Sequence, residues 1–444
     1  MIGGHVFQDF NYNGLDDQSG IGLAGIEVFL FTCGPIGTSE LVETAITDLN
    51  GDYFFSNLID GQEYRIEFSP PSDQSFLESG FNATDSRTSV QFVTSPSCSV
   101  DIGMANPDDY CEEDPKLIVP CYVNGDPLAS GSLSAQEDAL VCFNTSFQGT
   151  RPTPTILATA EEVGSTWGIT YNKTTDAIYT SAILKRHVGL GPLGLGGIYR
   201  IDMSGDNPIV MPFIDLNAIG VNVGTYANNT ARGLTSDTNL PSNDPEAFDD
   251  IGKVGLGSIT VSSDGNTLFA ISLTDQTLYA IDISSEMPTS ADVTSFPIPN
   301  PNCSGGNFRP FAIQIYNAAI YVGGVCDAET SQQKSDLRSI VYRLDGTTFT
   351  EVLNFSLDFQ KGLASRSCED DRGWFPWSDQ VPEPCFLSGN SNIIVHPTPV
   401  LSDIEFDASG NMVLGFTDRI GNQIGYLNYP PVGQSELYLS LIHI

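Results

Sequence analysis

Basic residues are scarce in this chain of 444 residues: 18 Lys and Arg stand against 55 Asp and Glu, for a formal net charge of −37. A surface of that sign repels phosphate backbones and anionic lipid, so nucleic-acid and membrane-surface binding are poor explanations of its function. Histidine occurs only at positions 5, 187, 396 and 443, which leaves His187 as the one plausible centre for histidine-based catalysis. The patterns GxSxG, HExxH and GxxxxGK[ST] are absent, and with them the simplest routes to a serine hydrolase, a zinc protease or a P-loop enzyme. The nine cysteines show no CxxC or CxxH spacing, which argues against zinc and thioredoxin-like sites. No apolar run approaches the ~18 to 20 residues of a membrane-spanning helix. No basic and apolar leader precedes the strand-like His5-Val6-Phe7, so the chain is expected to be a piece of a longer exported protein.

Glycine (43) and proline (27) are plentiful, while charged residues make up only 16%. That composition predicts a turn-rich, all-β protein, and 25 Phe, 16 Tyr and 3 Trp supply its cores. The length implies more than one domain. We expect a β-sandwich over 1–105, a linker at 106–115 beginning with Asn106-Pro107-Asp108, and a different β domain over 116–444. The cysteines fit the structural disulfides of an exported protein. Cys303 with Cys326 and Cys368 with Cys385 are the local pairs, while Cys33 and Cys98 flank two strand-like runs and are candidates to staple the first domain. Cys111, Cys121 and Cys142 leave one thiol over.

In the first hundred residues, Ile26-Glu27-Val28-Phe29-Leu30-Phe31 and Glu63-Tyr64-Arg65-Ile66-Glu67-Phe68 alternate with the period of a half-buried strand. Turn signals at Leu49-Asn50-Gly51-Asp52 and Ile59-Asp60-Gly61 separate such runs. The segment from Asp9 to Asp17 carries oxygen side chains at relative positions 1, 3, 5 and 9 (Asp9, Asn11, Asn13, Asp17), with Gly14 at position 6. That is the ligand spacing of an EF-hand loop, with the peptide oxygen of Leu15 at position 7. Position 12 is Gly20 rather than Glu, so the shell would be completed by water or by Asp16, Asp48 or Asp85. The bland alternative is an Asp/Asn-rich turn. Seventeen acidic residues against two basic ones over positions 1–110 favour Ca²⁺ as a cofactor.

Three strings, Val6 to Asp17, Gly22 to Val28 and Thr47 to Leu58, occur in an order that resembles the SdrD B-like repeat of bacterial surface adhesins. The resemblance implies a prealbumin/Ig-like β-sandwich stiffened by Ca²⁺ and used as a stalk, with Asp9, Asn11, Asn13 and Asp17 on its calcium loop. It also implies adhesion to an extracellular matrix, surface protein or carbohydrate ligand at a secreted or cell-wall location. A related stalk class carries an internal Lys to Asn isopeptide bond, which this domain cannot form because its first lysine is Lys116. A Cys33 to Cys98 disulfide together with Ca²⁺ is the stabilisation left to it.

Farther along, strand-turn-strand units start near 168, 258, 312 and 404, and third strands share a signature in Gly197-Ile198-Tyr199-Arg200-Ile201-Asp202, Thr277-Leu278-Tyr279-Ala280-Ile281-Asp282 and Ile340-Val341-Tyr342-Arg343-Leu344-Asp345. Repetition of this kind predicts a β-propeller of six or seven blades when intact, incomplete here, with two degenerate blades in the wider gaps. Lys185, Arg186 and His187 form a basic cluster that either meets an anionic ligand at the channel mouth or pairs with neighbouring carboxylates. Trp374 and Trp377, on the loop between Cys368 and Cys385, either stack on a sugar ring or cover a blade edge. Arg309, Asp403, Glu405, Asp418 and Arg419 are candidates to line a channel. The leading expectation is a non-catalytic surface protein. The alternative is an extracellular polysaccharide hydrolase or lyase using channel carboxylates. N-glycosylation sequons stand at Asn82, Asn144, Asn172, Asn228 and Asn302.

Overall fold

Short strands account for most of the secondary structure of this computed structural model, which describes residues 1–9, 14, 16, 21–34, 39–79, 89–106, 114–147, 153–205, 207–238, 240, 242–284, 287–317, 319–361, 372–380, 382, 385–387, 391–394, 396–407, 410–424 and 439–440. The chain divides into two units, Met1–Pro115 and Lys116–Ile444.

The first unit contains β1 (Ile2–Gln8), β2 (Glu27–Thr32), β3 (Leu41–Ile46), β4 (Asp52–Phe55), β5 (Glu63–Ser69), β6 (Glu78–Ser79), β7 (Val90–Thr94) and β8 (Ile102–Ala105). They form two four-stranded sheets, ordered β4-β1-β8-β6 and β3-β2-β5-β7, antiparallel except where β1 runs parallel to β8. The period-2 pattern decides which side chains point inward: Tyr64, Ile66 and Phe68 of β5 are buried while Glu63 stays exposed. Val28 and Leu30 of β2 join them, and from the other sheet come Ile2, Val6, Tyr53, Phe55, Ile102 and Met104 to complete one core.

The three sequence strings singled out above lie against one another. Val6 N donates to Gly51 O at 2.9 Å, Leu23 N donates to Val6 O at 2.8 Å, and Phe7 bridges to Gly22. Only glycine fits at these crossings. A Cβ on Gly22 would stand 1.7 Å from Asn50 O, and one on Gly51, whose φ is +84°, would stand 2.2 Å from Val6 O.

The expected Cys33–Cys98 staple does not form, because both residues are exposed free thiols. Cys33 follows β2 and Cys98 follows β7, and β5 lies between those strands. Two inter-strand steps span ~10 Å, beyond the ~7 Å Cα separation a disulfide can bridge. Ser97 is moreover drawn to the opposite sheet, where it bridges Ile2.

The second unit begins with β9 (Lys116–Pro120), β10 (Asp138–Asn144), β11 (Thr155–Thr159) and a short helix α1 (Ala160–Val163). There follow three four-stranded antiparallel meanders. The first comprises β12 (Thr166–Asn172), β13 (Ala177–Ala182), β14 (Gly197–Asp202) and β15 (Ile209–Asp215). Helix α2 (Pro245–Asp250) separates it from β16 (Leu256–Val261), β17 (Thr267–Ser272), β18 (Thr277–Asp282) and β19 (Val293–Pro297). The third comprises β20 (Phe308–Tyr316), β21 (Ala319–Cys326), β22 (Arg338–Asp345) and β23 (Thr348–Ser356). The chain continues with β24 (Cys385–Leu387), β25 (Ser391–Ile394), β26 (Pro399–Phe406), β27 (Met412–Asp418), helix α3 (Arg419–Ile424) and β28 (Leu439–Ser440).

First strands of successive meanders pack side by side, β12 beside β16, β16 beside β20, and β20 beside β26. Glycines permit the approach: a Cβ on Gly257 would stand 2.9 Å from Phe311 O. Between the first two meanders, Asn172 Nδ2 donates to Gly265 O at 2.8 Å and Val261 N donates to Thr170 Oγ1 at 3.1 Å. Trp167 meets Phe311 edge to face at 5.9 Å, and Ser258 Oγ donates to Ser402 O at 3.1 Å. The space among these strands is therefore occupied by side chains.

The shared signature falls on the third strands β14, β18 and β22, where Tyr199, Tyr279 and Tyr342 are all buried. Its terminal aspartate governs the next turn, with Asp202 accepting from Ser204 N and Asp282 accepting from Ser284 N. One expectation needs correction. The gap between β15 and β16 holds no degenerate sheet among its described residues but a 3₁₀ turn at Leu216–Ile219 and α2. Its Gly-, Asn- and Thr-rich sequence lacks the alternation a strand requires. Among its described residues the gap after β23 holds the short β24 and β25, and no ring of sheets closes among the described residues.

Candidate functional site

In the first unit the loop after β1 begins at Asp9, whose side chain is 1% exposed. Its Oδ2 accepts from Gly14 N at 2.6 Å, and its own N donates to Met104 O. The chain thus returns over this carboxylate at the glycine that the EF-hand spacing places sixth. Asp16 is exposed. Asn11, Asn13, Leu15 and Asp17 lie outside the described residues, as does Asp85. Asp48 is committed to its own turn, with Oδ1 accepting from Asn50 N and Asp52 N.

The basic cluster of the second unit is buried: Lys185, Arg186 and His187 are 4%, 0% and 0% exposed. Arg186 serves backbone carbonyls instead of carboxylates, donating to Asn243 O, Asp244 O and Gln423 O. Lys185 Nζ donates to Thr166 O at 2.9 Å, and burial pulls its pKa down to about 8. His187 has a φ of +69°; its N donates to Asp244 Oδ2 at 2.9 Å, and its Nδ1 lies 2.8 Å from Ser242 Oγ. This resembles a Ser–His dyad, but both residues are buried, and burial with the neighbouring Arg186 and Arg232 drives the imidazole pKa down to about 2. A base that weak leaves the serine unactivated at neutral pH. Asp244, at φ +38°, is held by Arg232 Nη2 at 2.6 Å, an ion pair with both side chains 1% exposed. The cluster is a knot of structural bonds with no ligand-facing cation, and of the two expectations it is nearer to internal pairing.

Trp374 and Trp377 are likewise buried, at 6% and 1% exposure, and so cannot stack on a sugar. Trp377 Nε1 donates to Pro399 O at 2.7 Å, and guanidiniums of Arg419 and Arg309 lie 4.6 and 5.5 Å from its ring. Around it runs a neutralised network of three cations and three carboxylates. Arg309 pairs with Asp327 at 2.7 Å and Glu329 at 3.4 Å, Lys253 with Glu329 and Asp379 at 2.7 Å each, and Arg419 with Asp379 at 3.4 Å. Arg419 also donates to Ile251 O, Ser378 O and Asp249 O, and burial draws its pKa down to about 10.

Asp418 does not converge with the other carboxylates proposed for a channel. Asp403 and Glu405 are exposed on β26. Asp418 stands opposite Pro399 at the other end of the same ladder, four residues or ~13 Å along the strand from Asp403. That exceeds the ~5 to 9.5 Å of paired glycosidase carboxyls. Asp418 is buried, accepts from Thr398 N at 2.9 Å and Ile420 N at 3.0 Å, and has its pKa raised by burial to about 7.

Beyond Trp377 lies a cleft of about 280 Å³ whose wall includes Gln332, Lys334, Phe375, Ser378, Gln380 and His396. Lys334 Nζ sits 3.4 Å from the centre of the Phe375 ring, and the His396 ring centre lies 3.8 Å from it. Sequence reasoning missed this cleft because its walls come from distant segments; His396 and the aromatic run 374–377 were its only local signs. Of the expected disulfides, Cys303–Cys326 is formed, with Cα atoms 5.4 Å apart. Cys368 lies outside the described residues, and Cys385 is described only as part of strand β24.

The interlocked glycine turns, the Asp9 loop and the two sheets bring the first unit to a recognisable pattern. Residues 1–109 match the SdrD B-like domain family. The SdrD B-like match covers the described part of the first unit's sheets and stops near its boundary. Over 71 residues the chain is 35% identical to serine-aspartate repeat-containing protein D of Staphylococcus aureus (strain Newman), covering 16% of this chain and 5% of that protein. Longer alignments reach colossin-A and colossin-C of Dictyostelium discoideum, each 25% identical over 97% and 96% of this chain. The chain spans only 4% and 41% of those two proteins. A putative 6-phosphogluconolactonase from Bacteroides fragilis superposes at a TM-score of 0.28 with 10% identity, covering 88% of this chain and 81% of that one, too slight a likeness to bear on fold or activity. No described helix is long and apolar enough to cross a membrane.

Proposed function

We propose that this chain is a non-catalytic recognition segment of an extracellular or cell-surface protein. In this reading the SdrD B-like unit is a calcium-stiffened β-sandwich spacer. The meanders of the second unit, whose first strands pack side by side, are blades of a propeller-like array that carries the binding surface. The observation that carries the proposal is the SdrD B-like match over residues 1–109. The colossin alignments, which run across both units, support treating spacer and array as one recurring arrangement. The catalytic alternative has less behind it, since Asp403 and Glu405 are exposed on β26 and the buried Asp418 stands at the other end of the ladder.

For Ca²⁺ the fit rests on Asp9, a buried carboxylate that accepts from Gly14 N. Asn11, Asn13 and Asp17 would supply further oxygen ligands, as hard cations prefer. The test is calorimetric titration of Ca²⁺ into the chelator-stripped full chain, with thermal melts alongside. Saturable binding that raises the first unit's melting temperature and disappears in Asp9→Ala is expected. Absence of saturable binding would remove calcium from the reading. Partners on this view are a matrix component, a surface protein or a carbohydrate.

A further inference from the structure

We propose that β3 is a docking edge to which an extended segment of a basic partner protein adds as a further strand, a role beyond that of a spacer for the first unit and independent of its calcium reading. β3 is the terminal strand of its sheet, with β2 on one side only. Thr47 N donates to Ile26 O at 3.0 Å, and in an antiparallel ladder such bonded pairs recur at every second residue. Ala45 and Glu43 therefore bond across to Val28 and Leu30, while the N–H and C=O groups of Thr44 and Ile46 turn outward. Among the described residues no backbone group meets them there. Unpaired donors and acceptors along a strand edge are a template for another strand.

Side chains decide what that strand must be. On the outer face of the sheet Leu41 is 55% and Ile46 63% exposed. From Leu41 a row runs across Phe31 and Arg65 to the exposed Phe92. Aliphatic residues of an added strand pack beside Leu41 and Ile46 on this face. On the opposite side of β3, across from the core residue Leu30, stands the exposed Glu43. Glu40 and Asp48 flank the strand, Glu27 stands opposite Ile46, and positions 39–52 hold no Lys, Arg or His. The one cation of the sheet's strands, Arg65, is two strands away and paired with Glu67 at 3.0 Å. His5, on the other sheet, is held by Asp52 at 2.9 Å.

The sign of these charges selects the occupant. A second copy pairing along β3 brings carboxylates against carboxylates, which destabilises a strand pair, and at −37 the chain repels its own kind. A segment alternating Lys or Arg with aliphatic residues sets its cations on the Glu43 side and its aliphatic side chains on the Ile46 side. That is the division of labour in strand addition, where backbone bonds give affinity and alternate side chains give specificity.

The experiment is titration of the full chain into a labelled peptide of alternating valine and lysine, followed by fluorescence polarisation, with hydrogen exchange read at the amides of Thr44 and Ile46. The controls are the same peptide with glutamate for lysine, and the lysine peptide with its central valine replaced by proline. Saturable binding with a midpoint below about 1 mM, and slowed exchange at both amides, are expected for the lysine peptide alone. Glu43→Lys should weaken that binding by about three-fold or more. Thr44→Pro removes an outward N–H without breaking the ladder to β2, as edge strands allow, and should abolish binding at an unchanged melting temperature. If that variant melts lower, Glu43→Lys and the peptide series carry the decision. No saturable binding of the lysine peptide up to about 1 mM overturns the site. Equal binding of the proline peptide, or binding without protection of Thr44 and Ile46, overturns strand addition in favour of simple attraction to an acidic surface. Equal binding of the glutamate peptide, or an unaffected Glu43→Lys, overturns the basic partner. So does protection of Ile46 that grows with the concentration of the chain alone, which makes a second copy the occupant.

Discussion

The two units solve the same electrostatic problem with different materials. The first has two basic residues, Arg65 and Arg87, while the second holds the other sixteen. With so few cations, the first unit leaves most described carboxylates in water and closes its turns with backbone bonds and glycines, as at Val6, Gly22 and Gly51. The second unit instead takes cations out of water. Arg186, Arg232 and Arg419 are at most 6% exposed and collect backbone carbonyls from segments far apart in sequence. A guanidinium suits this task because its five donors are held in a fixed fork. The difference teaches where each unit is vulnerable: the first at its glycines and its loop carboxylate, the second at a few arginine hubs.

The strongest way to sharpen that contrast is Arg419→Met. It leaves three carbonyls without this donor and Asp379 with Lys253 as its one remaining cation among the described residues, and we expect a loss of about 3–5 kcal/mol in denaturant unfolding of the second unit. A loss under about 1 kcal/mol would show that the hub is dispensable. Replacing Cys303 and Cys326 together by Ala should cost the same unit about 3 kcal/mol, since the bond closes a loop of 23 residues, while leaving the first unit's transition unmoved.

Asp418 gives the second unit a pH signature. Its folded pKa of about 7 lies above the ordinary ~3.9 of an unfolded aspartate, so the folded state holds the extra proton. Its contribution is fully present below about pH 4 and is lost as pH rises through about 7. Asp418→Asn should remove that downward slope from the stability profile of the second unit, a change on the order of 2–4 kcal/mol across the window. An unchanged slope would refute the assignment.

Asp9→Ala should destabilise the first unit by about 1–3 kcal/mol even without Ca²⁺, because Gly14 N loses its acceptor inside the fold. The smallest effect tests the corrected pairing. Cys33→Ala and Cys98→Ala should each shift stability by no more than about 0.5 kcal/mol, as befits exposed thiols, and thiol titration of the native chain should find both reactive.

How much of this was legible beforehand depended on the range of the interactions. Strands such as β5 and the third strands carrying Tyr199, Tyr279 and Tyr342 are written in local alternation, and the Cys303–Cys326 pair is close in sequence. The Cys33–Cys98 error came from reading sequence flanks as spatial neighbours when sheet order inserts β5 between them. The fate of Lys185, Arg186 and His187 was illegible for the opposite reason. A basic triplet looks the same whether it meets solvent or the carbonyls of Asn243 and Gln423, and only the tertiary fold brings those carbonyls to it. The cleft at Phe375 belongs to the same class, since Lys334 and His396 are joined by no pattern along the chain.

All three tryptophans, Trp167, Trp374 and Trp377, belong to the second unit, and the last has two guanidiniums close to its ring. Indole emission of the intact protein is therefore a private channel for one half of the molecule. It will report the release of Trp377 from its cationic neighbours and remain silent while the first unit, which has no tryptophan, opens. Excitation at the red edge of the absorption band selects the indoles over the tyrosines, which both units carry, and so follows the melting of the second unit without cutting the chain.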